Sequence, residues 1–271
     1  MKVRTKEFAS RRKEGPGLLF LFVAVAAVSM VSARFMGVDP AALVTQVSSR
    51  FQTTSMRSDP LDVSSRGEAV VPVNRDEPRV LIYHAHASEN YSPKQTHAAR
   101  GQTGDVVEVG RELARALEAE GVRTIHVTGV YDDPWNEAYT ASARAVQQVL
   151  EANPSIELVI DIHRDAIESR QAGIATAKVG EDTTAKILFA IGEQNNPHVQ
   201  QNAEIASRLK ERMDELYPGL SRGMRMLRQE SNGHLHPNAV EVYIGDYYDS
   251  TLEEAKAAAR LLAKVIAAGL Q

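Results

Sequence analysis

The chain has 271 residues, a formal net charge of −4 and 43% hydrophobic residues: enough apolar material for one sizeable domain, and no broad basic face for nucleic acid. It contains no cysteine, which excludes a disulfide scaffold, a cysteine nucleophile and thiolate metal ligands. Any metal must sit on His, Asp or Glu.

Residues 1–16 are basic and precede an uncharged apolar run from Gly17 to about Ala33. That run is near the lower limit for crossing a bilayer, roughly 17 residues. Residues 17–35 are therefore expected to be a transmembrane signal-anchor, with residues 1–16 held in the cytoplasm by their cations and the body on the outer side. The competing reading is a cleaved signal peptide ending at "VSA"; the length of the basic segment favours the anchor. Residues 36–76 are polar and aperiodic and read as a linker, with a short helix conceivable over Pro40–Phe51.

From residue 77 to 271 strands alternate with helices. Arg79–His84 ("RVLIYH") is a buried strand. Gly104–Gly121 has helical apolar spacing and stops at a glycine. Val122–Gly129 is a second strand, Glu137–Ala152 a helix, Ile156–His163 a third strand and Thr184–Gly192 a fourth. Pro197–Leu216 is a long helix, Asn238–Gly245 a last strand, and Thr251–Ala268 a helix capped by Ser250 or Asp249. This order predicts an α/β fold, a three-layer sandwich with a mostly parallel sheet flanked by helices.

Two predicted strands end in metal-type residues. The first runs into "HAHASE", in which His86 and Glu89 form H-x-x-E; the third ends at His163 in "IDIHRD". Two histidines and a carboxylate with a fourth position open are the ligand set of a hydrolytic zinc site. Such an ion lowers the pKa of bound water to about 7 and polarises a substrate carbonyl. His84 stands as an alternative ligand to His86, or as its support, and Asp161 and Asp165 as orienting carboxylates. A lone strand-end histidine is usually structural; two such ends together point to metal-dependent hydrolysis.

Five stretches, "VLIYHAHASENYSP", "VYDDPWNEAYTASARAV", "ANPSIELVIDIHRDA", "LYPGLSRGM" and "STLEEAKAAARLLAKVI", resemble stage II sporulation protein P, in order and from about Arg79 onward. The resemblance implies a membrane-anchored zinc-dependent N-acetylmuramoyl-L-alanine amidase fold over residues 77–271, acting on septal peptidoglycan during engulfment, with a further endopeptidase activity. It implies stage II sporulation proteins D and M as partners. Carried over by motif, the zinc set falls on His84, His86, Glu89 and His163, with Arg164 and Asp165 beside it. The family pattern departs at the last strand. There E-x-G is expected after N-x-x-L-x-P; Asn232, Leu235 and Pro237 match, but Tyr243 stands two before Gly245. Glu241 lies on the same strand face, about 6–7 Å away, and is the expected general base. Otherwise Tyr243 faces the metal and stabilises an oxyanion, and the chain is a binding or scaffolding protein of this fold. Arg144 is expected to meet a peptide carboxylate; Trp135 and Tyr139 are expected to pack against substrate. Glu108 is read as solvent-facing, and His126 as structural.

Overall fold

The computed structural model describes residues 76–167 and 173–270. The expected cytoplasmic segment, anchor and linker, except residue 76, lie outside the described residues. Among the described residues, no helix is long and apolar enough to cross a membrane.

The strands are β1 (Val80–Tyr83), β2 (Thr124–His126), β3 (Leu158–Asp165), β4 (Thr176–Val179), β5 (Asp182–Ala185), β6 (Ile187–Gln194), β7 (Ser221–Glu230) and β8 (Ala239–Asp246). The helices are α1 (Asp105–Ala119), α2 (Ala138–Ala152), α3 (Val199–Leu216) and α4 (Leu252–Gly269), with short 3-10 turns at Trp135–Glu137 and Asn232–Leu235. Six strands form one sheet in the order β2-β1-β3-β8-β6-β7, and β4 and β5 form a separate hairpin. β2, β1, β3 and β8 run parallel; β6 pairs antiparallel with β8 and parallel with β7. The mostly parallel sheet is as expected. Three features differ from the sequence reading. The stretch Thr184–Gly192 divides between β5 and β6, and neither β4 nor β7 was anticipated. β7 is an edge strand with arginines at Arg222, Arg225 and Arg228, and it lacks the continuous apolar run that marks the buried strands.

Strand alternation sorts the core into two faces. Val80, Ile82, Leu158, Ile160, Ile162, Val240, Val242 and Ile244 meet the apolar sides of α1, α3 and α4 in one large cluster. The opposite face begins apolar, with Leu81, Val159 and Ala239 packed against Val146 of α2. Further along the same strands it turns polar, through Asp161 and His163 on β3 and Glu241 and Tyr243 on β8. The register sets Asp161 beside Glu241 and His163 beside Tyr243. The site therefore lies over the thinly covered face, on the carboxyl halves of β1, β3 and β8.

The cap of α4 is Thr251, not Ser250 or Asp249: its hydroxyl accepts from Glu254 N, and the Glu254 carboxylate accepts from Thr251 N in return. Asp249 instead accepts from Gly173 N and Ala175 N, and the Ser250 hydroxyl accepts from Asp246 N. Thr251→Ala is expected to lower stability by about 1 kcal/mol, read as a denaturant midpoint shift at unchanged slope.

Candidate metal and hydrolytic cleft

The residues after β1 turn sharply away from the sheet and anchor on the start of α1. Asn90 Oδ1 accepts from Asp105 N, and Glu89 O accepts from Val106 N at 3.1 Å. The approach is tight. A Cβ at Gly104 would sit 2.3 Å from Glu89 O, so glycine is required there. This anchoring presents Glu89 to the end of β3.

His163 is buried between two carboxylates. Its Nδ1 lies 3.4 Å from Glu89 Oε2 and its Nε2 lies 3.2 Å from Asp161 Oδ1. Burial alone pulls its pKa down, but Asp161 and then Glu89 outweigh that and hold it well above the ordinary range. Burial likewise pushes Glu89 up, and His163 and Arg164 outweigh it, so Glu89 stays below its usual value. Arg164 is buried; its backbone N–H donates to Glu89 Oε2 at 3.1 Å and its guanidinium donates to the carbonyls of Asn90 and Thr96. Arg164 is thus a support for Glu89 and not a group that reaches substrate. Asp161 also accepts from Ala85 N at 2.9 Å, tying β3 to the exit of β1.

His86 sits over this pair, with its ring 5.4 Å from that of His163, 3.9 Å from Trp135 and 5.3 Å from Tyr139. Its pKa is lowered by burial and then by His163. Tyr243 stacks on His163 at 5.2 Å from the other side. His86, Glu89, Trp135, Tyr139, His163 and Tyr243 line an open cleft of about 410 Å³. Asn136, Gln229 and Glu230 complete the lining and were missed from the sequence. The last two belong to β7, whose unremarkable pattern offered no signal until its pairing with β6 brought it there.

Donors on one tetrahedral zinc, each bound at about 2.0–2.2 Å, stand roughly 3.3–3.6 Å apart. The 3.4 Å between His163 Nδ1 and Glu89 Oε2 matches that spacing, and is longer than an ordinary N–H···O bond. Asp161 behind His163 is the outer carboxylate such a ligand needs. In this arrangement no three donors among the described residues close on one point. Glu89 and His163 alone have the spacing of a ligand pair, and the His86 ring lies beside them.

His84 does not join them. It lies on the α1 side of the sheet, where a Cβ at Gly110 would meet its Nε2 at 2.5 Å. Its Nδ1 donates to Ile162 O at 3.2 Å, so its Nε2 accepts from His126 Nε2 at 2.9 Å. The strand ends at Tyr83 and residues 85–88 turn away from the sheet, so His84 and His86, which strand alternation would keep on one face, reach different surroundings. His126 is structural, as expected. Asp165 is not in the cleft either: it pairs with Arg222 and Arg225 of β7. Glu108 is exposed and pairs with Arg111. Arg144 lines a neighbouring groove, with His234.

Glu241 is buried beside Asp161, one dipeptide deeper than His163, and does not line the cleft. Tyr243 stands between, its hydroxyl donating to Glu241 Oε2 at 3.1 Å. Glu241 Oε1 is buried with no partner among the described residues. Burial raises the Glu241 pKa to about 7, with Asp161 adding to it and His163 and the Tyr243 hydroxyl opposing. The Tyr243 phenol is itself pushed up by burial and then by Glu241, so it remains protonated.

Fold and cleft together define an α/β sandwich carrying a buried histidine–carboxylate centre at the open side of its sheet. The family model for Stage II sporulation protein P (SpoIIP) matches residues 41–267, and the chain belongs to that family. Stage II sporulation protein P of Bacillus subtilis (strain 168) is 31% identical over 161 residues, covering 55% of this chain and 39% of that protein. The chain thus matches about two fifths of that relative's length. Among solved structures, the CwlD amidase from Clostridioides difficile in complex with the GerS lipoprotein is similar at 14% identity and TM-score 0.47, over 71% of this chain and 96% of that one. The N-acetylmuramoyl-L-alanine amidase AmiC2 of Nostoc punctiforme is similar at 12% identity and TM-score 0.43, over 71% and 94%.

The neutral His84–His126 pair makes stability pH-dependent. Burial depresses the His126 pKa from 6.5 to about 4, with Arg111 adding to it. The unfolded histidine takes its proton near 6.5 and the folded one only near 4, so this stability is present above pH 6.5 and lost as pH falls to 4. His126→Gln is expected to flatten the stability curve across that window by roughly 2 kcal/mol. Parallel curves for the two proteins, from denaturant midpoints, would contradict a neutral buried pair. Asp161→Ala removes one of the two carboxylates at the buried His163, leaves Ala85 N unpaired, and is expected to cost roughly 3–5 kcal/mol, measured the same way.

Proposed function

We propose that residues 77–271 form a zinc-dependent peptidoglycan hydrolase that cleaves the amide between the glycan lactyl group and the stem peptide. The observation that carries this is His163 held between two buried carboxylates on the floor of an open cleft, with His86 and Tyr243 as its walls. Membership of the stage II sporulation protein P family supports septal cell wall as the substrate. On the same reading, the N-terminal segment would anchor the domain outside the cytoplasmic membrane, and sporulation proteins D and M would act with it.

His86, Glu89 and His163 would hold the ion. Bound zinc would supply a water of pKa about 7 and polarise the scissile carbonyl. The chain's residues do the rest. Asp161 orients the His163 ring, and Arg164 keeps Glu89 ionised and fixed. Trp135, 48% exposed, and Tyr139 present aromatic faces to the substrate at the cleft mouth. Glu241, with a pKa near 7, is matched to accept and return a proton near neutral pH. It reaches the cleft through Tyr243. As the Tyr243 oxygen takes the proton of the attacking water, its own proton passes to Glu241 Oε2; the reverse transfer protonates the leaving amine. This restores Glu241 as base without requiring its carboxylate at the cleft wall.

Tyr243 also favours a second reading. It occupies the E-x-G glutamate position of the family pattern and fills the space beside His163. A protein that binds wall without cutting it would look the same there.

Digestion of purified peptidoglycan by the full chain, with products read by mass spectrometry, separates the two. Release of intact stem peptides that stops with chelator and in His163→Ala is expected. Glu241→Gln and Tyr243→Phe are each expected to lose about 100- to 10,000-fold in rate with metal content unchanged. Glu230→Gln, an exposed carboxylate on the cleft wall, is expected to stay within about tenfold of the parent. Bound zinc with no release of stem peptides would favour the wall-binding reading; a Glu241→Gln enzyme at full rate would remove the relay.

A further inference from the structure

Beside the cleft lies a second groove of about 390 Å³, within the ordinary size range of ligand pockets. Tyr139 and Glu230 belong to the walls of both, so the two adjoin there. One wall is α2, where Thr140, Arg144 and Gln147 recur at helical spacing on one side. The other is the end of β6 and the 3-10 turn after β7, contributing Asn195 and His234.

Arg144 is the unusual member. On α1, Arg111 and Arg115 are each matched by a glutamate three residues earlier. Around Arg144 the corresponding positions are Thr140, Ala141, Gln147 and Gln148, none of them acidic. Among the described residues no carboxylate lies within ion-pair reach of it, including Glu230 in the same groove. Glu230 accepts instead from the Asn195 side chain, and Asn195 holds a left-handed backbone, φ 55°, to make that turn. The charge pattern along the path is therefore ordered: negative Glu230 at the junction with the cleft, positive Arg144 only beyond it.

We propose that this groove receives the peptide portion of the substrate and that Arg144 binds a free peptide carboxylate. The inference rests on the hydrolase reading for which side of the scissile amide enters the groove. An acid group is repelled by Glu230 at the junction and attracted by Arg144 beyond it, while peptide N–H groups passing Glu230 find an acceptor. The groove thereby reads the distance between the cleft and the first free carboxylate. Amidation of that carboxylate removes the charge that Arg144 recognises. Arg144 acts on binding and position, and takes no part in proton transfer.

The test is binding, not turnover, so that its failure is distinct from failure of the hydrolase reading. The full chain carrying His163→Ala is titrated calorimetrically with N-acetyl-L-alanyl-γ-D-glutamyl-L-lysine and with the same peptide bearing its carboxyls as primary amides. The acid is expected to bind roughly three- to tenfold tighter than the amide. Arg144→Gln in the same background is expected to abolish that preference and leave the amide's affinity unchanged; Arg144→Lys is expected to retain part of it. Equal binding of the two peptides, a preference that survives Arg144→Gln, or no binding of either at millimolar concentration would each overturn the proposal. If wild-type chain digests wall and the preference is absent, the hydrolase reading stands and the subsite falls. A preference without digestion leaves the subsite standing in a wall-binding protein.

Discussion

The burial of an imidazole between Asp161 and Glu89 is the constraint on which the site depends. An isolated buried charge is costly, and here each carboxylate has a backbone N–H partner besides the imidazole. Asp161 accepts from the backbone of Ala85 as well as facing His163, and Glu89 accepts from the backbone of Arg164. These contacts join the exit of β1 to β3 at the point where the sheet face changes from apolar to polar. In the proposed function the same groups are prospective metal donors and their supports, so the fold and the proposed chemistry draw on one network. Loosening the loop after β1 would unpair a buried carboxylate and separate two prospective ligands at once.

The asymmetry of the sandwich explains where the cleft opens. Three helices seal one face with an unbroken apolar cluster. The other carries α2 and two short turns, and its cover thins toward the carboxyl ends of the strands. Polar residues on the alternate positions of β3 and β8 are affordable only there, where ligand or water can reach them. Edge strand β7 contributes Gln229 and Glu230 to the rim, although nothing in its own pattern marks it as part of a site.

Register decides the most individual feature of this chain. Parallel pairing puts Tyr243 beside His163 and Glu241 beside Asp161. Two residues on one strand face cannot exchange places without sliding the strand by about 6–7 Å. Glu241 therefore stays behind the cleft wall, and Tyr243, hydrogen-bonded to it, is the group exposed to whatever binds. In the proposed chemistry the tyrosine is a conduit rather than a replacement base, because its phenol is held protonated by burial and by the carboxylate behind it.

By itself the sequence determined the order of the helices and of the buried strands, though not β4 or β7, because buried parallel strands need continuous apolar runs and helices a 3.6-residue stripe, and both are local patterns. It also determined the residue types of the centre: His86, Glu89 and His163 stand at strand exits recognisable from those same patterns, and the family motifs surround them. Only the tertiary structure decided which neighbouring histidine served which face. His84 and His86 are chemically identical in sequence, and the direction the chain takes after β1 sends one under α1 and the other into the cleft. Likewise Asp165 looked like a partner for the centre until arginines of β7, more than fifty residues later, claimed it. The position of Glu241 behind Tyr243, and the groove past Glu230 to Arg144, arise from pairings between distant segments. No local periodicity encodes such pairings.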